Sequence, residues 1–127
     1  MVSFSQKMLL LSLIISSMCM MSNAVRRRHV NITNKIGKNI SVRCRSKNDD
    51  LHEHLLRNDQ TYSFSFKNNI FRTTLFFCRF TWDDKLHCFN IYDAHRDACT
   101  NCNWSLFTDG PCLAETPKNK TTCFIYH

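Results

Sequence analysis

Glycine and proline are nearly absent, two of each in 127 residues. Gly37 and Gly110 stand far apart, so there is no glycine-rich loop of the kind that cradles a nucleotide phosphate. Turns must instead be built mainly from Asn and Asp, whose short side chains tolerate unusual backbone angles. No long helical period, internal repeat or low-complexity tract is present. One apolar run stands out, Met8 to Met21, and its 14 residues fall short of the roughly 20 that a membrane-spanning helix needs.

That run is the middle of a secretory leader. Lys7 supplies the positive region before it and Ser22-Asn23-Ala24 the small residues that a signal peptidase reads, so cleavage is expected after Ala24. The expected organisation is a leader over 1–24 and one small domain over 25–127, 103 residues long. Loss of Lys7 leaves 16 Lys and Arg against 10 Asp and Glu, a net charge of +6. Such a surface favours encounters with anionic partners: wall polysaccharide, lipid headgroups, RNA or an acidic receptor loop. Val25-Arg26-Arg27-Arg28 opens the domain, read as a solvated terminus in preference to a tether to an anionic surface.

Seven cysteines follow the leader: Cys44, Cys78, Cys88, Cys99, Cys102, Cys112 and Cys123. In an oxidising compartment this density reads as a disulfide framework. The number is odd, so one thiol is free or pairs between chains, and spacing alone cannot choose among the connectivities.

Period-2 alternation marks short strands. His29 to Asn34 and Ile40 to Cys44 alternate, and Gly37 between them predicts an antiparallel hairpin. Ser46 to Leu56 is ambiguous: Asp50 and Glu53 resemble a helix capping box, but the support covers about one turn, and the segment is read as an exposed loop running into an irregular strand. Tyr62, Phe64 and Phe66 face inward opposite Thr61, Ser63 and Ser65. After a Lys67-Asn68-Asn69 turn, Ile70 to Phe80 is apolar on both faces and reads as the central strand. Trp82 to Lys85 is a turn, Leu86 to Tyr92 a further strand, and Trp104 to Phe107 and Thr122 to Tyr126 close the sheet. The pattern predicts an all-β fold, a small disulfide-stabilised antiparallel β-sandwich.

Few constellations carry chemistry. Cys99-x-x-Cys102, with Cys112 and Cys123, fits a zinc site, but secretion favours disulfides and no βαβ pattern supports a redox pair. His52 and His54 flanking Glu53 give two ligands, too few for a metal. His95-Arg96-Asp97 matches a kinase triplet without any of the accompanying machinery. A ribonuclease would pair His52 or His54 with His87 and use Lys85 on phosphate, yet no spacing singles out that set. Four glycosylation sequons begin at Asn31, Asn39, Asn103 and Asn119.

The chain resembles the plant self-incompatibility proteins, the S-protein homologues related to the stylar S-protein of field poppy. The resemblance rests on Asn34, the string Val42 to Leu51 (Val-Arg-Cys-Arg-Ser-Lys-Asn-Asp-Asp-Leu), His54, Tyr62 to Phe66, Asn69, Thr74 to Cys78, Phe89, Tyr92, Arg96-Asp97, Cys99, Cys102-x-Trp104 and Gly110-Pro111-Cys112. It covers nearly all of the expected domain. What it implies is a secreted, cofactor-free signalling ligand, not an enzyme, recognised by a cell-surface membrane receptor; the positive charge adds anionic wall polysaccharide as an expected further partner, and no nucleic acid is expected. The founding members look like pistil signals that lead to calcium entry and pollen arrest. Variable loops would carry recognition, which brings forward Lys47, Asn48, Asp49, Asp50, His52 and Glu53, and also Asp83 and Asp84. A secreted basic ribonuclease or membrane-active defence protein is the alternative. Two departures stand out. His52 replaces the family's usual Gly, and Cys88 replaces an aromatic, making Cys88 the candidate free thiol with the other six paired.

Overall fold

The computed structural model describes residues 27–68, 71, 73–115 and 119–127. The expected leader, its cleavage site, Arg26, Asn69 and Ile70 lie outside them. The described chain is all-β: β1 (Arg27–Asn34), β2 (Ile40–Arg45), β3 (Asp50–Leu56), β4 (Thr61–Lys67), β5 (Leu75–Trp82), β6 (Lys85–Asp93), β7 (Asn101–Leu106), β8 (Pro111–Glu115) and β9 (Lys120–Cys123). They form a five-stranded sheet in the order β4-β1-β7-β8-β9 and a four-stranded sheet in the order β3-β2-β5-β6. Every neighbouring pair is antiparallel except β1 and β7, which run parallel.

Alternation decides which side chains enter the core. Val30 and Ile32 of β1, Val42 and Cys44 of β2, and Cys78 and Phe80 of β5 are fully buried. Burying side chains of this size stabilises by roughly 1.5–3 kcal/mol each, before the entropy of ordering them is counted. On β4 the aromatic face turns inward and Thr61, Ser63 and Ser65 are exposed. The expected central strand begins only at Leu75, leaving Phe71 in an exposed turn before β5, and its second apolar face is not buried, since Leu75 is exposed and Phe77 half-buried. A two-layer sandwich has nothing to cover its outer faces.

The hairpin expected between the first two strands does not form. β1 lies in the five-stranded sheet and β2 in the other, so residues 35–39 cross between layers. Asn34, completely buried, fixes that crossing. Its side-chain amide donates to the carbonyls of Lys38 (2.8 Å) and Leu56 (3.0 Å), while its side-chain oxygen accepts the Ile36 N–H (2.9 Å). Its backbone N–H donates to Gln60 and its carbonyl accepts from Asp59. One residue therefore holds both the β1–β2 and the β3–β4 crossings.

Turns follow the shortage of glycine. Asp83 and Asp84 both adopt left-handed backbone (φ 53° and 58°) in a two-residue turn closed by the Trp82–Lys85 pair, the geometry that matches strand twist. Gly110 is required for a different reason. A β-carbon there would sit 1.7 Å from the Phe124 carbonyl oxygen. Beyond it lies β8, which begins on Pro111 where no ladder N–H is needed.

Three disulfides staple the strands within each layer: Cys44–Cys78 between register partners of β2 and β5, Cys112–Cys123 between partners of β8 and β9, and Cys99–Cys102 across the start of β7. Cys88 is a free, partly exposed thiol. With its cysteines 34 positions apart, Cys44–Cys78 removes the most unfolded-chain freedom, about 4 kcal/mol by loop-closure entropy.

Replacing Asn34 with Ala leaves a buried N–H and two carbonyls without partners, each worth about 1–3 kcal/mol when orphaned. Thermal unfolding of disulfide-intact Asn34→Ala is expected to show a loss of about 3 kcal/mol or more, some 10–25 °C in Tm for a domain of this size. A loss below about 1 kcal/mol would remove Asn34 from this role.

Candidate recognition surface

The segment 46–56 is more ordered than a loop. Ser46 to Asp49 forms a closed turn in which the Ser46 N–H donates to the Asp49 carbonyl (2.8 Å) and the Asp49 N–H to Ser46 Oγ (3.1 Å). Lys47, Asn48 and Asp49 are exposed on it. Asp50, His52 and Glu53 belong to β3, an edge strand paired with β2. The irregular strand expected at the end of this segment is β3, and it takes in these three residues, which the resemblance places on a recognition loop. Alternation failed to reveal β3 because Leu51 and His52 together oppose the single Cys44, a bulge that breaks the two-residue period. His52 takes the left-handed conformation there (φ 65°), which glycine adopts without steric cost and other residues adopt at about 1–3 kcal/mol. That accounts for glycine being the commoner residue of the resembled family at this position.

The acidic side chains of this edge are committed within the chain. Asp50 accepts from Arg43 through Nη2 (2.5 Å) and Nε (3.3 Å), and from the His52 N–H (2.9 Å). The Arg43 hydrogen bonds hold the Asp50 carboxyl down at about 2, and Asp50 in turn pushes the Arg43 guanidinium up. Glu53 accepts a short hydrogen bond from Ser41 Oγ. His54 stacks on Tyr62 with ring centroids 4.6 Å apart and donates to the Leu51 carbonyl (2.7 Å).

Asp83 and Asp84 are exposed at the opposite end of the four-stranded sheet. β2 and β5 are antiparallel, with Arg45 facing Phe77 at one end and Ser41 facing Thr81 at the other. The Ser46–Asp49 turn extends the first end and the Asp83–Asp84 turn the second, where Lys38 Nζ meets Asp83 Oδ2 at 2.6 Å. The eight candidate contact residues thus form two separate patches.

The histidines and lysine of the ribonuclease alternative are not brought together. His52 and His54 are on β3 and Lys85 and His87 on β6, the two edges of one sheet, roughly 14 Å apart at ordinary strand spacing. His87 lies flat against Trp82 (centroids 3.6 Å, planes 3° apart) with Tyr126 at its edge. Among the described residues no group of three or more His, Cys, Asp or Glu could hold a metal.

His95-Arg96-Asp97 is a structural lock. The Arg96 guanidinium sits 5.0–5.3 Å from the rings of Phe89, Trp104 and Phe124 and pairs with both oxygens of buried Asp97. It also donates to the Asn90 carbonyl, while Asp97 accepts the Asp93 N–H. Sequence spacing gave no hint that three aromatics far apart in the chain, on β6, on β7 and just after β9, would gather around one cation. Among the sequons, Asn39 and Asn119 are exposed, and Asn31 and Asn103 are hydrogen-bonded to each other on the outer face (2.9 Å).

The molecule is thus a small cysteine-rich β-sandwich that displays polar turns and edge strands over a stapled core. Residues 29–126 match the family described as plant self-incompatibility protein S1, and the chain belongs to that family. Two relatives from Arabidopsis thaliana support the assignment. S-protein homolog 5 is 45% identical over 98 residues, 75% of this chain and 74% of its own. S-protein homolog 29 is 39% identical over 110 residues, 84% of this chain and 81% of its own. A solved structure, described as an SPH (self-incompatibility protein homologue) from a widespread family of small, highly stable, secreted plant proteins, shares the fold. It has a TM-score of 0.57 at 16% identity and covers 78% of this chain and 96% of its own.

The Asp50–Arg43 pair has a pH signature. With a folded-state value near 2 against an ordinary 3.8, Asp50 favours the folded state above about pH 4 and loses that contribution as the pH falls through about 2. An NMR titration should find the Asp50 carboxyl among the last to protonate, and Arg43→Gln should move it back toward the ordinary carboxylate range.

Proposed function

We propose that the protein is a secreted plant signalling ligand, recognised by a cell-surface membrane receptor through exposed turns and edge strands rather than acting as an enzyme. Its leader, Met1 to Ala24, is removed on export, and the sequons at Asn31, Asn39, Asn103 and Asn119 are its glycosylation candidates. The observation that carries the reading is the Ser46–Asp49 turn. Three consecutive exposed polar side chains, Lys47, Asn48 and Asp49, are held by a closed turn that follows β2, the strand Cys44–Cys78 ties to β5. Side chains presented from a rigid platform lose little freedom on binding, which favours specific recognition. The family membership supports the reading, as does the separation of the acid–base candidates on opposite sheet edges.

Within this reading Asp49 is the acid free to meet a receptor, whereas Asp50 and Glu53 are engaged by Arg43 and Ser41. No helix among the described residues is long and apolar enough to cross a membrane.

Labelled, disulfide-intact protein should bind intact plant cells saturably, with most binding retained between about 50 and 300 mM salt, a range over which exposed charges become strongly screened. Replacing Lys47-Asn48-Asp49 with Ala-Ala-Ala should weaken that binding by about tenfold with the circular dichroism spectrum unchanged, tenfold being about 1.4 kcal/mol. Linear, salt-erased binding would defeat the receptor reading.

A further inference from the structure

A second surface feature has a different chemistry. An open cleft of about 1170 Å³ lies between the Ser46–Asp49 turn and the neighbouring ends of β4 and β5. That is larger than most small-molecule pockets, and its open form suits an extended chain. Four cations line it: Arg27, Arg45, Lys47 and Lys67. Among the described residues none of the four is in an ion pair, whereas Lys35, Lys38, Arg43 and Arg96 all are. Of the two acids on the lining, Asp49 and Asp50, the second is already neutralised by Arg43.

Two of the cations carry a cost in the fold. Arg27 and Lys67 are direct register partners across the antiparallel β1–β4 pair. Like charges placed opposite one another destabilise a sheet, and the cost is offset when an anion lies between them. Between the cations the lining turns to hydrogen-bonding groups, Ser46, Asn48 and Ser65, with Phe77 half-buried and Leu75 exposed as apolar surface.

We propose that this cleft binds an extended uronate polysaccharide, a chain carrying one carboxylate and several hydroxyls on every ring. Cations alternating with hydroxyl and amide groups match that repeat, and the apolar surface of Phe77 and Leu75 suits the C–H faces of sugar rings. An acidic peptide offers carboxylates to the cations but leaves the hydroxyl-matching groups less used. The cleft makes the protein a reader of the anionic wall matrix, so that the wall sets its local concentration and range. This rests on the extracellular placement in the proposed function but not on the existence of a receptor.

The test uses purified, disulfide-intact protein and a galacturonate oligomer of about ten units, with titration calorimetry and NMR amide shifts at about 150 mM salt, where the Debye length is about 8 Å. Binding is expected, with shifts concentrated in 45–50, 65–67 and 73–77. The double variant Lys47→Gln/Lys67→Gln should weaken it by about tenfold. A control with the same loss of charge at the opposite end, Lys38→Gln/Lys85→Gln, should retain it within about twofold. Both pairs are exposed, so folding, read by circular dichroism, is expected to persist. No binding at this salt, or equal loss in both variants, would overturn the proposal, the second outcome reducing it to net charge. A polyglutamate peptide that binds the same residues more tightly than the uronate oligomer would also overturn it and give the cleft to an acidic protein segment. Because no cells are present, failure here leaves the receptor reading to its own cell-binding measurement.

Discussion

The fold depends on one buried amide. Asn34 sits where the chain leaves one sheet for the other, and its side chain satisfies backbone groups from both layer crossings. Apolar burial holds the two sheets together but does not say where each crossing segment should lie, because burial has no direction. A buried amide with three partners does, since any displaced arrangement leaves polar groups without partners in a dry interior. The remaining specificity comes from Arg96, whose guanidinium holds the turn after β6 and the residues after β9 against the rings of Phe89, Trp104 and Phe124. A cation in such a site draws on ring quadrupoles and on Asp97 together.

Much of the strand pattern was legible. Tyr62, Phe64 and Phe66 alternate with Thr61, Ser63 and Ser65 in the chain and do so in the fold. The Trp82-Asp83-Asp84-Lys85 turn was likewise readable, because a chain poor in glycine must use Asp or Asn for left-handed turns. Partnership was not legible. Period-2 alternation says which face is buried but not which strand lies alongside, so β1 and β2 read as a hairpin when they lie in different layers. The first strand's neighbours are β4 and β7, the latter about 70 residues away. β3 was obscured by its bulge and β8 by the proline that opens it.

Electrostatics rearranges the candidate surface. On sequence the segment after Cys44 looked acidic, with Asp49, Asp50 and Glu53 all available. In the fold two of those three acids are matched within the chain, and the unmatched charge at that end of the molecule is positive. Sequence lists charges in order, whereas partners are chosen across strands. Arg43 is drawn to Asp50 because the β2–β3 turn folds one strand back beside the other. That leaves Arg45 and Lys47, both nearer to Asp50 in sequence than Arg43 is, outside any ion pair among the described residues.

The parallel pairing of β1 with β7 bears on how the chain reaches its fold. Among the described strands β1 is synthesised first, and one whole side of it waits for residues 101–106. Until they emerge, Val30 and Ile32 belong to an unfinished sheet edge, the kind of surface that invites pairing with a neighbouring chain. A ribosome stalled shortly before residue 101 would therefore release a product with most of its strands made and its first strand open on one flank. Folding of this chain should be more sensitive to defects late in the sequence than its short length suggests, and chaperone demand should fall sharply once β7 has docked.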